Sequence, residues 1–166
     1  AIALGVVPDA DQNGVPDGCS SSPVGTAFCF CPMALAPCGN ASPTTGCLNG
    51  AGTGALLTGA GSSSVAADNL VLTTSGMPAA SFAMTAMGTG STLPAVVANG
   101  LRCIGGSTYR FPPYATMGGT ASLGRGTPNV PMGLSTYSLA TLPTAGHILP
   151  GSTFHFQTFY RDFAGP

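Results

Sequence analysis

Apolar and polar residues alternate most regularly in the last part of the chain, along STFHFQTFYRD from Ser152 to Asp162. Phe154, Phe156 and Thr158 fall on one parity and His155, Gln157 and Phe159 on the other, the period of a strand with one buried face. From Val65 onward, β-prone runs are separated by turn residues at short spacing. VAADNLVLTTSGMP ends at Gly76 and Pro78, and SFAMTAMG, PAVVANGLRCIGG, STYRFPP and LSTYSLATLP follow, each stopped by Gly or Pro. The best window for a helix is MPAASFAMTAM. Its apolar residues fit no single helical face and Gly and Pro bracket it, so it too reads as strand. The pattern predicts an all-β fold: a β-sandwich, immunoglobulin-like or jelly-roll-like, loop-rich and stapled by disulfides.

Composition narrows the function classes. The chain of 166 residues is 44% hydrophobic, enough for one domain with a core. Only 5% of residues are charged, and Lys and Glu are absent altogether. Four scattered arginines, Arg102, Arg110, Arg125 and Arg161, and a net charge of −1 supply no phosphate-neutralising surface, which excludes nucleic acid as a partner. Weak mutual repulsion favours self-association, and a surface of hydroxyls and amides suits packed copies or a glycan coat. No apolar run approaches the roughly 20 residues of a membrane span. A basic leader followed by an apolar stretch is also missing, so the chain reads as a processed, secreted product, extracellular or at the cell surface. Its first segment, Ala1, Ile2, Ala3, Leu4, Gly5, Val6 and Val7, is apolar throughout and reads as a strand or as a remnant of processing.

Cys19, Cys29, Cys31, Cys38, Cys47 and Cys103 are even in number and five of them lie in the first third of the chain, which points to disulfides in an oxidising compartment. FCFCPMALAPCGN lacks the paired spacing of a zinc ribbon and has no His nearby. The pairing itself is left open. Between the apolar start and the first cysteine stands Asp9-Ala10-Asp11-Gln12-Asn13-Gly14-Val15-Pro16-Asp17, or DxDxNGxxD. Asp9, Asp11 and Asn13 bring alternate oxygens toward one hard cation, and Gly14 permits the turn that carries Asp17 round, so the ion expected is Ca²⁺. The position of the twelfth-residue Glu of an EF-hand is Ser20, so this is no EF-hand. The motif resembles the thrombospondin type 3 repeat and related single calcium loops. Two parts are expected: residues 1–18 with the apolar strand and calcium loop, and residues 19–166 as the disulfide-bonded β-sandwich.

Catalytic constellations are sparse. With three aspartates in the loop, only Asp68 and Asp162 remain for acid–base work, and no GxSxG elbow accompanies His147 or His155. His155 reads as a solvent-facing strand residue, and the chain as a non-enzyme. Asn40-Ala41-Ser42 meets the N-glycosylation sequon. Tyr109, Phe111 and Tyr114 form the one compact aromatic group, the only candidate platform for a carbohydrate-binding or adhesion module.

The order of CPMALAPCGN, GALLTGAGSSSVAADNLVLTTSGMP, NGLRCIGG and STFHFQTFYRD resembles a poorly characterised Cys/Gly-rich β-module near the C-terminus of secreted proteins of environmental bacteria, over residues 9–163. The resemblance implies an extracellular, disulfide-bonded β domain with no assigned activity. In such modules a further cysteine-bearing segment and a last strand follow the YRD stretch, where this chain has Phe163-Ala164-Gly165-Pro166. That difference implies an open sheet edge and leaves the partner of Cys103 unassigned. The expectation is a structural protein that assembles with itself as a filament or surface layer, Ala1–Val7 of one copy completing the sheet of the next.

Overall fold

A computed structural model describes residues 24–163. Strands dominate, arranged in two sheets with two disulfides, in agreement with the predicted all-β class. The first sheet has the order β1-β2-β6, with β1 Leu56–Ala60, β2 Val71–Ser75 and β6 Ala121–Gly124, all antiparallel. β-Branched residues dominate Val71-Leu72-Thr73-Thr74, and the buried parity is Leu72 and Thr74, as period two requires.

The second sheet is built around β3, Phe82–Val97, which turns into β4, Gly100–Arg110, and pairs further along the same edge with β5, Tyr114–Ala115. β7, His155–Tyr160, lies on the opposite edge, in register from Ala83↔Tyr160 to Gly88↔His155. β3 is long because it is interrupted twice, between Gly88 and Gly90 and between Ser91 and Ala95. Pro94, which cannot donate to a ladder, sits inside the second irregularity. At the first, a Cβ on Gly88 would stand 2.6 Å from the Gly105 carbonyl oxygen, so only glycine lets the strands approach. These breaks curl the sheet. β4 and β7 flank β3 on opposite sides, yet the Gln157 side chain of β7 accepts from Cys103 N at 3.0 Å and donates to Leu101 O at 2.6 Å, both in β4.

Each face of the β3 sheet is covered by a different core. Ala83, Met87, Phe111 and Tyr114 face a cluster completed by Leu72 and Leu123 of the first sheet, with Val130 and Leu134. Met87 is fully buried there. Hydroxyls thread this core: Thr85 Oγ1 meets Tyr114 OH at 2.6 Å and Thr158 Oγ1 at 2.9 Å, and Thr158 Oγ1 meets Thr74 Oγ1 of the first sheet at 2.8 Å. On the other face, the Cys-rich segment packs Cys31, Cys47, Cys103 and Leu101 into a smaller cluster. The alternation in STFHFQTFYRD therefore marks a strand that is half-buried at every residue, since both its faces are covered.

One predicted strand is a helix. LSTYSLAT forms α1, Leu134–Thr141, preceded by Gly133 at φ 100° with no side-chain cap of its own. The cap comes from Asp68, whose Oδ1 accepts from Ser135 N at 2.8 Å and Oδ2 from Thr136 N at 2.9 Å. A carboxylate at that end also complements the helix dipole.

Candidate functional site

The calcium loop residues Asp9, Asp11, Asn13 and Asp17, the apolar segment Ala1–Val7 and Cys19 lie outside the described residues. Among those described, Cys29 pairs with Cys103 and Cys31 with Cys47. Cys103, whose partner the sequence left unassigned, thus ties the Cys-rich segment to β4. Cys38 is exposed and belongs to neither bridge, its Sγ 3.7 Å from Asn99 Oδ1.

Asn40 is buried at 7% exposure. Its Nδ2, the atom a glycan would occupy, donates to Leu48 O and to Asn99 O, both at 2.9 Å. The second bond holds the two-residue turn between β3 and β4, where Ala98 takes φ 50°, a left-handed conformation that favours glycine. Asn40 is thus a tether between the Cys-rich segment and the hairpin tip.

The two aspartates considered for acid–base chemistry both serve the backbone. Asp68 caps α1, and Asp162 Oδ2 accepts from Gly50 N at 2.7 Å. His147 Nε2 lies 3.1 Å from Leu142 O at the end of α1. His155 is half-buried rather than solvent-facing, its ring edge-on to Phe28 with centroids 5.5 Å apart. The Cys-rich segment covers that parity of β7, which alternation within β7 alone does not reveal. Among the described residues, Tyr160 is the one group whose protonation is clearly perturbed: burial pushes its pKa above the ordinary tyrosine value, the Asn49 hydrogen bond opposes this, and the nearby Asp162 charge adds to it. The aromatic group is a correction. Phe111 and Tyr114 are buried in the larger core, and Tyr109 packs against it, so these rings form no surface platform for a sugar.

What the structure presents is an open edge above an apolar hollow. β7 pairs with β3, and among the described residues no strand pairs with its other edge. Beside it lies a cavity of about 270 Å³, walled by Leu70, Leu72, Leu134, Ile148, Phe154 and Phe156 and rimmed by Val24, Ser63 and Ser152. Among the described residues of its lining, Asp68 is the one charged side chain, and its carboxylate is spent on α1. A shallower depression along Ser63–Ala66 and Ile148–Ser152 adjoins it. The arrangement suits an extended apolar chain. Sequence reasoning placed an open edge at the end of the chain but missed the hollow. Its walls come from β2, α1 and the residues before β7, brought together only by the fold.

No family model, no curated protein and no solved structure matches this chain. The functional reading therefore rests on the residues and their geometry.

Proposed function

We propose that this chain is an extracellular structural subunit that assembles with copies of itself into a filament or surface layer. The two sheets are read as the layers of a β-sandwich, and the N-terminal strand Ala1–Val7 as the element one copy contributes to the next. The observation that carries this reading is the edge of β7 that no described strand pairs, set beside the apolar hollow in a body held by two disulfides and two cores. An open edge is a template for a further strand. The bridges suit an oxidising compartment, no helix among the described residues is long and apolar enough to cross a membrane, and a net charge of −1 gives copies little reason to repel. Calcium at Asp9, Asp11, Asn13 and Asp17 would stiffen the link between donated strand and body.

Electron microscopy of the purified chain with and without a calcium chelator tests this. Regular filaments or sheets that loosen on chelation are expected; dispersed monomers in both conditions would remove the reading.

A further inference from the structure

The direction of the backbone along β7 decides which atoms a partner strand would meet. Arg161 N donates to Phe82 O at 2.9 Å, so this opposed pair is hydrogen-bonded. Hydrogen-bonded and non-bonded pairs alternate along an antiparallel ladder. Phe159, Gln157 and His155 therefore turn their N–H and C=O groups toward β3, and Phe156, Thr158 and Tyr160 turn theirs outward. The bond from Phe111 N to Thr85 O, on the opposite edge of β3, agrees with that phase. The side chains of these same outward-bonding residues face the larger core, where Phe156 and Tyr160 pack and Thr158 bonds Thr74. A strand laid along this edge would then carry alternate side chains over the same face, where the apolar hollow opens.

Ala1–Val7 has the matching pattern. Ile2, Leu4 and Val6 share one parity, with Ala1, Ala3 and Gly5 on the other. A cavity of about 150 Å³ lined by aliphatic and aromatic groups takes one benzene. A hollow of about 270 Å³ therefore has room for about two or three aliphatic side chains. The segment carries no charge, and the Asp68 carboxylate in the lining is already hydrogen-bonded to the start of α1, so an apolar occupant meets little of the desolvation cost that a charged one would. Val24, the first described residue, forms part of the rim. The self-assembly reading makes the donor a neighbour's segment, and head-to-tail donation leaves an open series of copies.

We propose that the outward edge of β7 at Phe156, Thr158 and Tyr160, together with the adjoining hollow, is the acceptor for Ala1–Val7 of a neighbouring copy, with Ile2, Leu4 and Val6 filling the hollow. This rests on the self-assembly reading above and names its contact.

The test uses the full chain carrying Ala3→Cys, on the parity that does not fill the hollow, together with Ser63→Cys, a small change at an exposed rim position. Each single variant serves as the control for the exposed Cys38. Samples are imaged, oxidised and run on non-reducing gels. The expected result is filaments from every variant and a ladder of covalent multimers from the double variant alone. Filaments without the cross-link would overturn this acceptor and leave self-assembly standing. A cross-link confined within monomers would show that the hollow holds the chain's own segment, overturning the assignment to a neighbour. Dispersed, uncross-linked protein from the unmutated chain as well would remove the self-assembly reading and this contact with it.

Discussion

The two faces of the β3 sheet are held by different means. On one, Met87, Phe111, Leu72 and Leu123 bury a broad apolar surface, and a chain of hydroxyls from Thr74 through Thr158 and Thr85 to Tyr114 satisfies the polar atoms within it. On the other, the buried cluster consists of Cys31, Cys47, Cys103 and Leu101, with Cys29 and Ala36 against it. Packing secures the first face. The second has too few large side chains to hold an irregular segment by burial, and covalent closure replaces area there. The difference shows how a chain rich in Gly and Pro orders a long segment without regular structure.

The largest effect expected from this contrast is at Cys29–Cys103, which closes a loop with a sequence separation of 74. Replacing both cysteines with alanine should lower unfolding stability by about 4 kcal/mol, and the same change at Cys31–Cys47, with a separation of 16, by about 3 kcal/mol. Denaturant midpoints check this, and losses under about 1 kcal/mol would mean that packing holds both faces. On the packed face, Thr85→Val keeps the shape and removes the hydroxyl that meets both Tyr114 and Thr158. A loss of about 2 kcal/mol is expected, because Tyr114 OH is then buried without that bond. A neutral result would show that area alone secures this face.

The smallest effect sharpens the boundary between the two regions, where Asn49 of the Cys-rich segment reaches Tyr160 OH at 3.4 Å. Burial raises the Tyr160 pKa above its ordinary value, so the native state holds its proton more tightly than the unfolded chain. Its contribution is fully present below pH of about 10 and is lost as pH rises through the higher native value. Tyr160→Phe should flatten the alkaline fall in stability followed by circular dichroism. An unchanged fall would place the alkaline sensitivity elsewhere.

Much of the strand content was legible because local patterns carry it. Phe154–Tyr160 announces β7 by alternation and FAMTAM reads correctly as strand despite its helical composition, whereas PAVVANGLRCIGG, read as one run, is divided by the turn between β3 and β4. LSTYSLAT was misread because α1 shows no apolar stripe, and its cap, Asp68, lies far away in sequence. The burial of His155 depends on Phe28, and the burial of Tyr114 on Thr85, contacts that no local window contains. The pairing of Cys29 with Cys103 is likewise set by how the sheet curls. At the candidate site, the apolar character of Ala1–Val7 was readable and an open edge was expected only from the resemblance, whereas the hollow beside β7 is a product of tertiary folding.

The Cys29–Cys103 bridge also has a mechanical consequence. Tension applied between Val24 and β7 crosses from Cys29 directly to Cys103, so β1, β2 and β3 lie outside the covalent line of load. A separation of 74 residues corresponds to roughly 250 Å of extended chain that pulling cannot release while the bridge stands. Reduction would free that length, turning a short, stiff link into one that yields before it breaks.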